Sequence, residues 1–523
     1  MASRASWRSS EHIHLREGAQ DMRTGKEPTL VGRLEGFDGF VERCLEDWEI
    51  PGCAVGVVKG GRLIYATGFG LRDVRRGLPV TEQTNFPIKS GTKAFTATAA
   101  AMLVDEGKLD WDRPIREYMP SFRMYDPAGT KHASIRDLLA HRSGLASHYA
   151  ALYTSLATSA GIIERLPYLE PRGELRNGYH YANLGYAVAG AVLEHVVGTT
   201  WQEVIRTRIF GPLGMRASGF GTDEAARLGE LAVGHRKGRR RPVSWFRGKG
   251  FDLATACEPK APAMGIVSNV GEMGRWLRFH MNRGRIGRRR IVKWSVLRET
   301  HTAQIPMGGK VRNKHLSDAS YAMGWHVQSY RGYRWIHHSG SGHGYSASVS
   351  FMPGQSIGVV LLTNGWRTPL RWVIPFNVYD RLLGLDPIPW NDTYLRIAKR
   401  PQDKHAREEE AGELTQGACP ASPFENYVGG YHHPGYGRLS VCVERGRLQI
   451  HYNGITFRTR YCGQHVFEAR GEYEDPAVVD PMKVSASFRA SKTGNVTSVA
   501  IPFEPDAGDI IFARVRDRSS RRN

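Results

Sequence analysis

Apolar positions set the first divisions of the chain. Phe37, Phe40, Val41, Cys44, Leu45 and Trp48 recur at a helical period, and Ile50-Pro51-Gly52 ends the helix they predict. Two apolar runs, 53–58 and 62–68, flank Lys59-Gly60-Gly61, which reads as a tight β-hairpin. A connection over 71–85 then delivers the chain to Phe86-Pro87-Ile88-Lys89-Ser90-Gly91-Thr92-Lys93 and the alanine-rich run 94–104 behind it. That run has strong helix propensity and no polar face, so it predicts a helix buried on all sides, ending near Gly107.

From 108 to 182 the pattern is short helical pieces and loops, an insertion between two halves of a sheet. Residues 184–197 read as a second buried helix and 201–209 as a shorter one, stopped by Gly211-Pro212-Leu213-Gly214-Met215. A loop rich in Gly and Arg runs to about 263, and 270–281 is helical again. After Trp325 the period changes to two. The runs 333–338, 345–352 and 356–363 predict an antiparallel meander joined to the early hairpin, with a helix over 370–383 closing it despite Pro375. Residues 386–424, rich in Pro, Glu and Gln, read as a linker. Beyond them, Leu439, Val441 and Val443 alternate with polar positions, as do Leu448, Ile450 and Tyr452 across Arg445-Gly446, and the alternation recurs at 455–461, 484–488, 499–503 and 510–515. A small antiparallel barrel follows from that repetition.

Composition narrows the functional classes. At 523 residues the chain is long enough for two or three domains, and residues 1–30 are too polar to order themselves. Lys and Arg outnumber Asp and Glu by 72 to 51, a net charge of +21, with much of the excess in arginine runs such as 235–241 and Arg288-Arg289-Arg290. These read as solvated loops. With no zinc-finger spacing, RNA-binding aromatic signature or recognition helix, no nucleic-acid partner is expected. Cys44, Cys53, Cys257, Cys419, Cys442 and Cys462 are widely spread and read as buried free thiols. The longest apolar runs, such as 186–197, are too short for a membrane span, and no apolar leader segment precedes residue 28, so the expectation is a cytoplasmic protein without a membrane partner.

Candidate chemistry begins with Ser90 and Lys93, three apart and therefore on one face of a helix start. The same spacing also fits a capping serine beside a solvated lysine. The apolar helix behind it favours the chemical reading, because a lysine at a buried mouth needs a partner or a task. A neutral lysine can take a serine's proton, and helix-start N–H groups favour a developing oxyanion. Tyr181 and Asn183 stand two apart at the mouth of the second buried helix, and His338-Ser339-Gly340-Ser341 ends a strand in a glycine-rich turn.

Taken in order, Ser-x-x-Lys at Ser90 and Lys93, Tyr-x-Asn at Tyr181 and Asn183, and His-x-Gly at His338 and Gly340 resemble the penicillin-binding protein and class C β-lactamase superfamily of serine hydrolases, in its esterase and D-aminopeptidase-like branch. Leu109-Asp110-Trp111-Asp112-Arg113-Pro114, His141-Arg142-Ser143-Gly144-Leu145 and Pro212-Leu213-Gly214-Met215 fit the same pattern. The resemblance implies an α/β fold, a β-lactamase/transpeptidase-like antiparallel sheet flanked by helices with a helical subdomain, over 31–385. The linker 386–424 then leads to a lipocalin-like β-barrel domain over 425–516. It also implies that Ser90 is the nucleophile, Lys93 its base, and Tyr181 the proton shuttle if Lys93 lowers its phenol pKa. Asn183 would bind Lys93 and substrate, His338 and Gly340 would line the substrate, and the N–H groups of Ser90 and Ser341 would hold the oxyanion.

Members that recognise penicillin usually carry Lys-Thr-Gly where this chain has His338, so efficient β-lactam turnover is not expected. A literal Lys492-Thr493-Gly494 lies between two strands of the expected barrel and reads as a hairpin turn. No metal and no cofactor are expected, since His337-His338 and His432-His433 cannot each point one way on a strand and no His-Glu-x-x-His helix exists. The expected activity is hydrolysis of a small-molecule ester, amide or peptide through an acyl-enzyme. A D-amino-acid peptidase or a biosynthetic acyltransferase is the alternative enzyme, and a non-catalytic scaffold the alternative of another class.

Overall fold

The computed structural model describes residues 32–152, 158–236, 243–244, 260–309, 313–399, 423–472, 482–504 and 507–515. The expected tail 1–30, residues 400–422 of the expected linker, the arginine run 237–241, Cys257 and Cys419 lie outside them.

Among the described residues the central sheet is antiparallel throughout and has nine strands. Its middle is the expected meander, Tyr333–Gly342, Tyr345–Met352 and Ile357–Thr363, whose last strand pairs with Gly52–Lys59 of the early hairpin. Gly60 and Gly61 turn that hairpin at φ 56° and 78°, a conformation glycine adopts without strain. Both faces are covered. Val359 and Leu361 pack on one side with Phe37, Val41, Val373 and Ile374, from helices Phe37–Trp48 and Leu370–Leu383. Val360 and Leu362 face the other way, into the core of the helical region. Strands buried on both faces explain why these runs read as continuously apolar.

The alanine-rich run forms the helix Thr92–Asp105, buried from Thr92 to Leu103, and Gly107 at φ 71° follows its end. The second buried helix is Asn183–Val197. Small residues let the elements touch: a Cβ on Gly190 would lie 2.2 Å from Pro262 Cγ, and one on Gly324 would lie 2.7 Å from Ala94 Cα.

Four expectations are corrected. Ser90 does not sit in the first helical turn but in a 3-10 turn, Lys89–Gly91, immediately before it. The segment stopped at 211–215 continues one turn further, through Gly211–Leu213, until Gly214 at φ 68° ends it. A helix, Trp390–Ala398, stands in the stretch read as linker; Trp390 is buried and donates from Nε1 to Tyr330 Oη and Asp380 Oδ2, which anchors it. Finally, Cys44 and Cys53 are buried, but Cys442 is half-buried and Cys462 exposed, because alternate positions of a barrel strand face outward.

The C-terminal strands close into an antiparallel barrel, eight-stranded among the described residues, from Gly429–His433 to Ile510–Arg514. Lys492-Thr493-Gly494 is the turn between Met482–Ala490 and Val496–Ile501. Among the described residues no helix is long and apolar enough to cross a membrane.

Candidate active site

Ser90, Lys93, Tyr181 and Asn183 converge. Lys93 Nζ lies 3.2 Å from Ser90 Oγ, 2.7 Å from Asn183 Oδ1 and 3.1 Å from the Ala263 carbonyl, and the Tyr181 hydroxyl lies 2.9 Å from Ser90 Oγ. Ser90 and Tyr181 are partly exposed, while Lys93 and Asn183 are buried beneath them. The two hydroxyls therefore lie nearer to solvent than the amine.

The partners of Lys93 carry no formal charge, and burial holds its amine well below the usual lysine range. A neutral amine has two N–H donors and one lone pair. Asn183 Oδ1 and the Ala263 carbonyl can only accept, so in the neutral form of Lys93 they take the two donors and the lone pair is left for Ser90. The Tyr181 phenol departs from expectation: burial pushes its pKa up, and the hydrogen bond to Ser90 offsets only part of that. Tyr181 is thus a protonated donor rather than a ready phenolate.

Gly340 brings the third motif in. Its missing Cβ would lie 2.3 Å from the Ile88 carbonyl and 2.9 Å from Ser90 N, so strand Tyr333–Gly342 passes the Ser90 turn at backbone contact. Ser341, the next residue, is exposed at that edge. His338 faces inward. Its Nδ1–H donates to the Ser339 carbonyl at 2.7 Å, its Nε2 accepts from Tyr321 Oη at 3.1 Å, and burial holds it well below the usual histidine range. It is neutral and supplies no cation to the cleft.

Sequence reasoning noticed His141 only as part of a side motif. At φ 56° it accepts from the Ala182 N–H, 3.2 Å away, while its ring packs 4.3 Å from that of Tyr181 and 4.7 Å from that of Tyr321. It thereby fixes the residue between Tyr181 and Asn183. Its own loop is held by Asp137, fully buried, which accepts from Arg142 Nε at 2.7 Å and Arg176 Nη2 at 2.9 Å.

The barrel reaches the wall beside Tyr181. Tyr436 Oη donates to His148 Nδ1 at 2.7 Å, Asn453 Nδ2 donates to the Ala150 carbonyl at 3.0 Å, and Ala150 N–H donates to Glu504 Oε1 at 2.6 Å. Tyr149, between the two gripped residues, is close enough to Tyr181 to raise its pKa further.

Comparison with known proteins adds the following. The beta-lactamase family profile matches residues 37–373, and a domain of unknown function (DUF3471) matches 415–514. The chain is 26% identical over 499 residues to "Unguisins hydrolase ungD'" of Aspergillus campestris, with 90% of each chain covered. Among solved structures, the octameric penicillin-binding protein homologue from Pyrococcus abyssi is 23% identical with a TM-score of 0.58, covering 91% of this chain and 99% of that one. EstCE1, described as a hydrolase with promiscuous acyltransferase activity, is 21% identical with a TM-score of 0.56 and covers 68% of this chain and 98% of its own.

Proposed function

The chain belongs to the beta-lactamase family, and from that membership we propose that it is a serine hydrolase that cleaves esters or small amides through an acyl-enzyme on Ser90. The observation that carries the reading is the buried Lys93 amine, 3.2 Å from Ser90 Oγ and held well below the usual lysine range by burial. Lys93 takes the Ser90 proton as Oγ attacks the substrate carbonyl. The oxyanion forms at the backbone N–H groups of Ser90 and Ser341. As the C–O or C–N bond breaks, Tyr181 gives its proton to the leaving atom, and the Lys93 ammonium then returns a proton to the phenolate. Water attacks the acyl carbon in the second half, its proton taken by the same pair, and Ser90 Oγ leaves reprotonated.

Hydrolysis is favoured over transfer to an amine or alcohol by the relative named as a hydrolase, which is matched over 90% of both chains. The neutral His338 argues against substrates that need a fixed cation for a carboxylate. Assaying a p-nitrophenyl ester, a D-amino-acid anilide and a chromogenic cephalosporin side by side tests this: clear turnover of the ester and little of the cephalosporin is expected, and the reverse order refutes it.

A further inference from the structure

The outer face of the barrel carries a group of side chains that catalysis leaves unused. Cys442 and Glu444 stand two apart on strand Gly437–Glu444, so both project from the face opposite Leu439 and Val441, which are buried inside. His451 lies on the neighbouring strand Arg447–Tyr452, where Ser440 pairs with His451 and Cys442 with Gln449. That register sets the imidazole diagonally beside the thiol. Cys442 Sγ is 3.2 Å from His451 Nε2 and 3.8 Å from Glu444 Oε1, and His451 Nε2 is 3.8 Å from Glu444 Oε1.

This triangle has the size a metal ion sets. With Zn–S of about 2.3 Å and Zn–N and Zn–O of about 2.0–2.2 Å, ligand atoms at tetrahedral angles lie about 3.3–3.6 Å apart. The three edges match within a few tenths of an ångström. The second nitrogen of His451 is also committed: Nδ1 lies 3.0 Å from Thr456 Oγ1, on the strand where His451 pairs with Thr456. Donation from Nδ1–H to Thr456 leaves the Nε2 lone pair toward the thiol, the arrangement by which an outer partner orients a ligating histidine. Glu444 is exposed and Cys442 and His451 partly so, which gives an ion access and leaves room for water as a fourth ligand.

We propose that Cys442, Glu444 and His451 bind one divalent cation of the zinc class on the outer face of the barrel. A thiolate with an imidazole selects such an ion over magnesium or calcium, which prefer all-oxygen shells. On binding, the thiol S–H breaks, its proton leaves to solvent and the metal–sulfur bond replaces it. The ion bridges two strands that lead into the clamp on the catalytic part, since Tyr436 immediately precedes the first strand and Tyr452, which donates to the Ala150 carbonyl, ends the second. The site is therefore a staple across the hairpin that holds the wall beside Tyr181. The spacing Cys-x-Glu-x6-His escaped the sequence reading because only strand pairing, not helical period, brings it together.

The test uses the full chain, stripped with a chelator and then titrated with Co²⁺. One cobalt per chain is expected, with a near-ultraviolet thiolate-to-cobalt charge-transfer band that added Zn²⁺ abolishes. Cys442→Ser, at an outward position and checked for folding by circular dichroism, loses the band, and His451→Ala loses the stoichiometric ion. Thr456→Val keeps all three ligands and weakens affinity about 10- to 100-fold. No band in the wild type overturns the proposal, as does a band unchanged in Cys442→Ser, which would place the thiolate elsewhere. Unchanged affinity in Thr456→Val overturns the orienting role of that hydroxyl.

Discussion

In the proposed mechanism two hydroxyls and an amine carry the chemistry, and each makes a different demand on its surroundings. Replacing Lys93 with methionine keeps most of the buried volume and removes the base; a positioned general base contributes about 10²–10⁴-fold, so kcat/KM for the ester should fall by that order while the fold persists. The pH profile gives the sign. Burial lowers the Lys93 pKa, so the protonated, inactive form gives way at lower pH than in an ordinary lysine; activity should rise with pH through a limb well below the ordinary lysine value of about 10.4. A limb near that value would count against a neutral amine. Tyr181→Phe should slow anilide cleavage far more than p-nitrophenyl ester cleavage, because an amine leaving group needs the proton and a nitrophenolate does not; equal slowing of both would deny Tyr181 that task. At this scale the sequence was largely legible, since Ser90, Lys93, Tyr181 and Asn183 announce themselves by spacing. Tyr321 and the contact of His141 with it did not. Tyr321 packs 4.7 Å from the His141 ring and 5.1 Å from that of His326, contacts that unite distant segments and leave no local period.

At the scale of elements, the close approach of backbones holds the site together. The strand of the third motif lies against the turn that carries Ser90, and glycine at 340 permits it. In Gly340→Ala the new Cβ would fall 2.3 Å from the Ile88 carbonyl and 2.8 Å from Lys89 Cβ, so strand and turn must separate. Overpacking of this kind costs about 1–3 kcal/mol. We expect a lower unfolding midpoint together with a loss of kcat greater than for Gly60→Ala, whose added Cβ would meet nothing within 4 Å; equal effects on kcat would mean the contact does not position Ser90. Alternation made the hairpin, the meander and the barrel readable, and the continuous apolar runs made the two buried helices readable. The helix Trp390–Ala398 was hidden by its setting, because it stands in a stretch rich in Pro, Glu and Gln and only Trp390 and Asn391 of it are buried.

Across the whole molecule, the barrel is hydrogen-bonded to the segment beside Tyr181, through His148 and Ala150. His148, which joins the two, is buried and neutral with its pKa lowered from 6.5 to about 4, chiefly by desolvation. The unfolded chain therefore binds a proton that the folded one refuses. Stability from this residue is complete above about pH 6.5 and is lost as pH falls toward 4, at about 1.4 kcal/mol per unit. His326, lowered to about 4, and His301, lowered to about 3, add to the same trend. Urea melts at pH 7 and pH 5 should show the loss, and His148→Gln should flatten part of it; a stability that rises on acidification would contradict the assignment. None of this docking was legible in the chain, since residues 148–150 and 436–504 are joined only by the fold.

If Ser90 is covalently acylated with Lys93 as its base, labelling with a fluorophosphonate followed by peptide mapping will locate the bond. One adduct on the Ser90 peptide is expected, absent from Ser90→Ala and formed far more slowly in Lys93→Met. No adduct in the wild type, or one that survives Ser90→Ala, would contradict it.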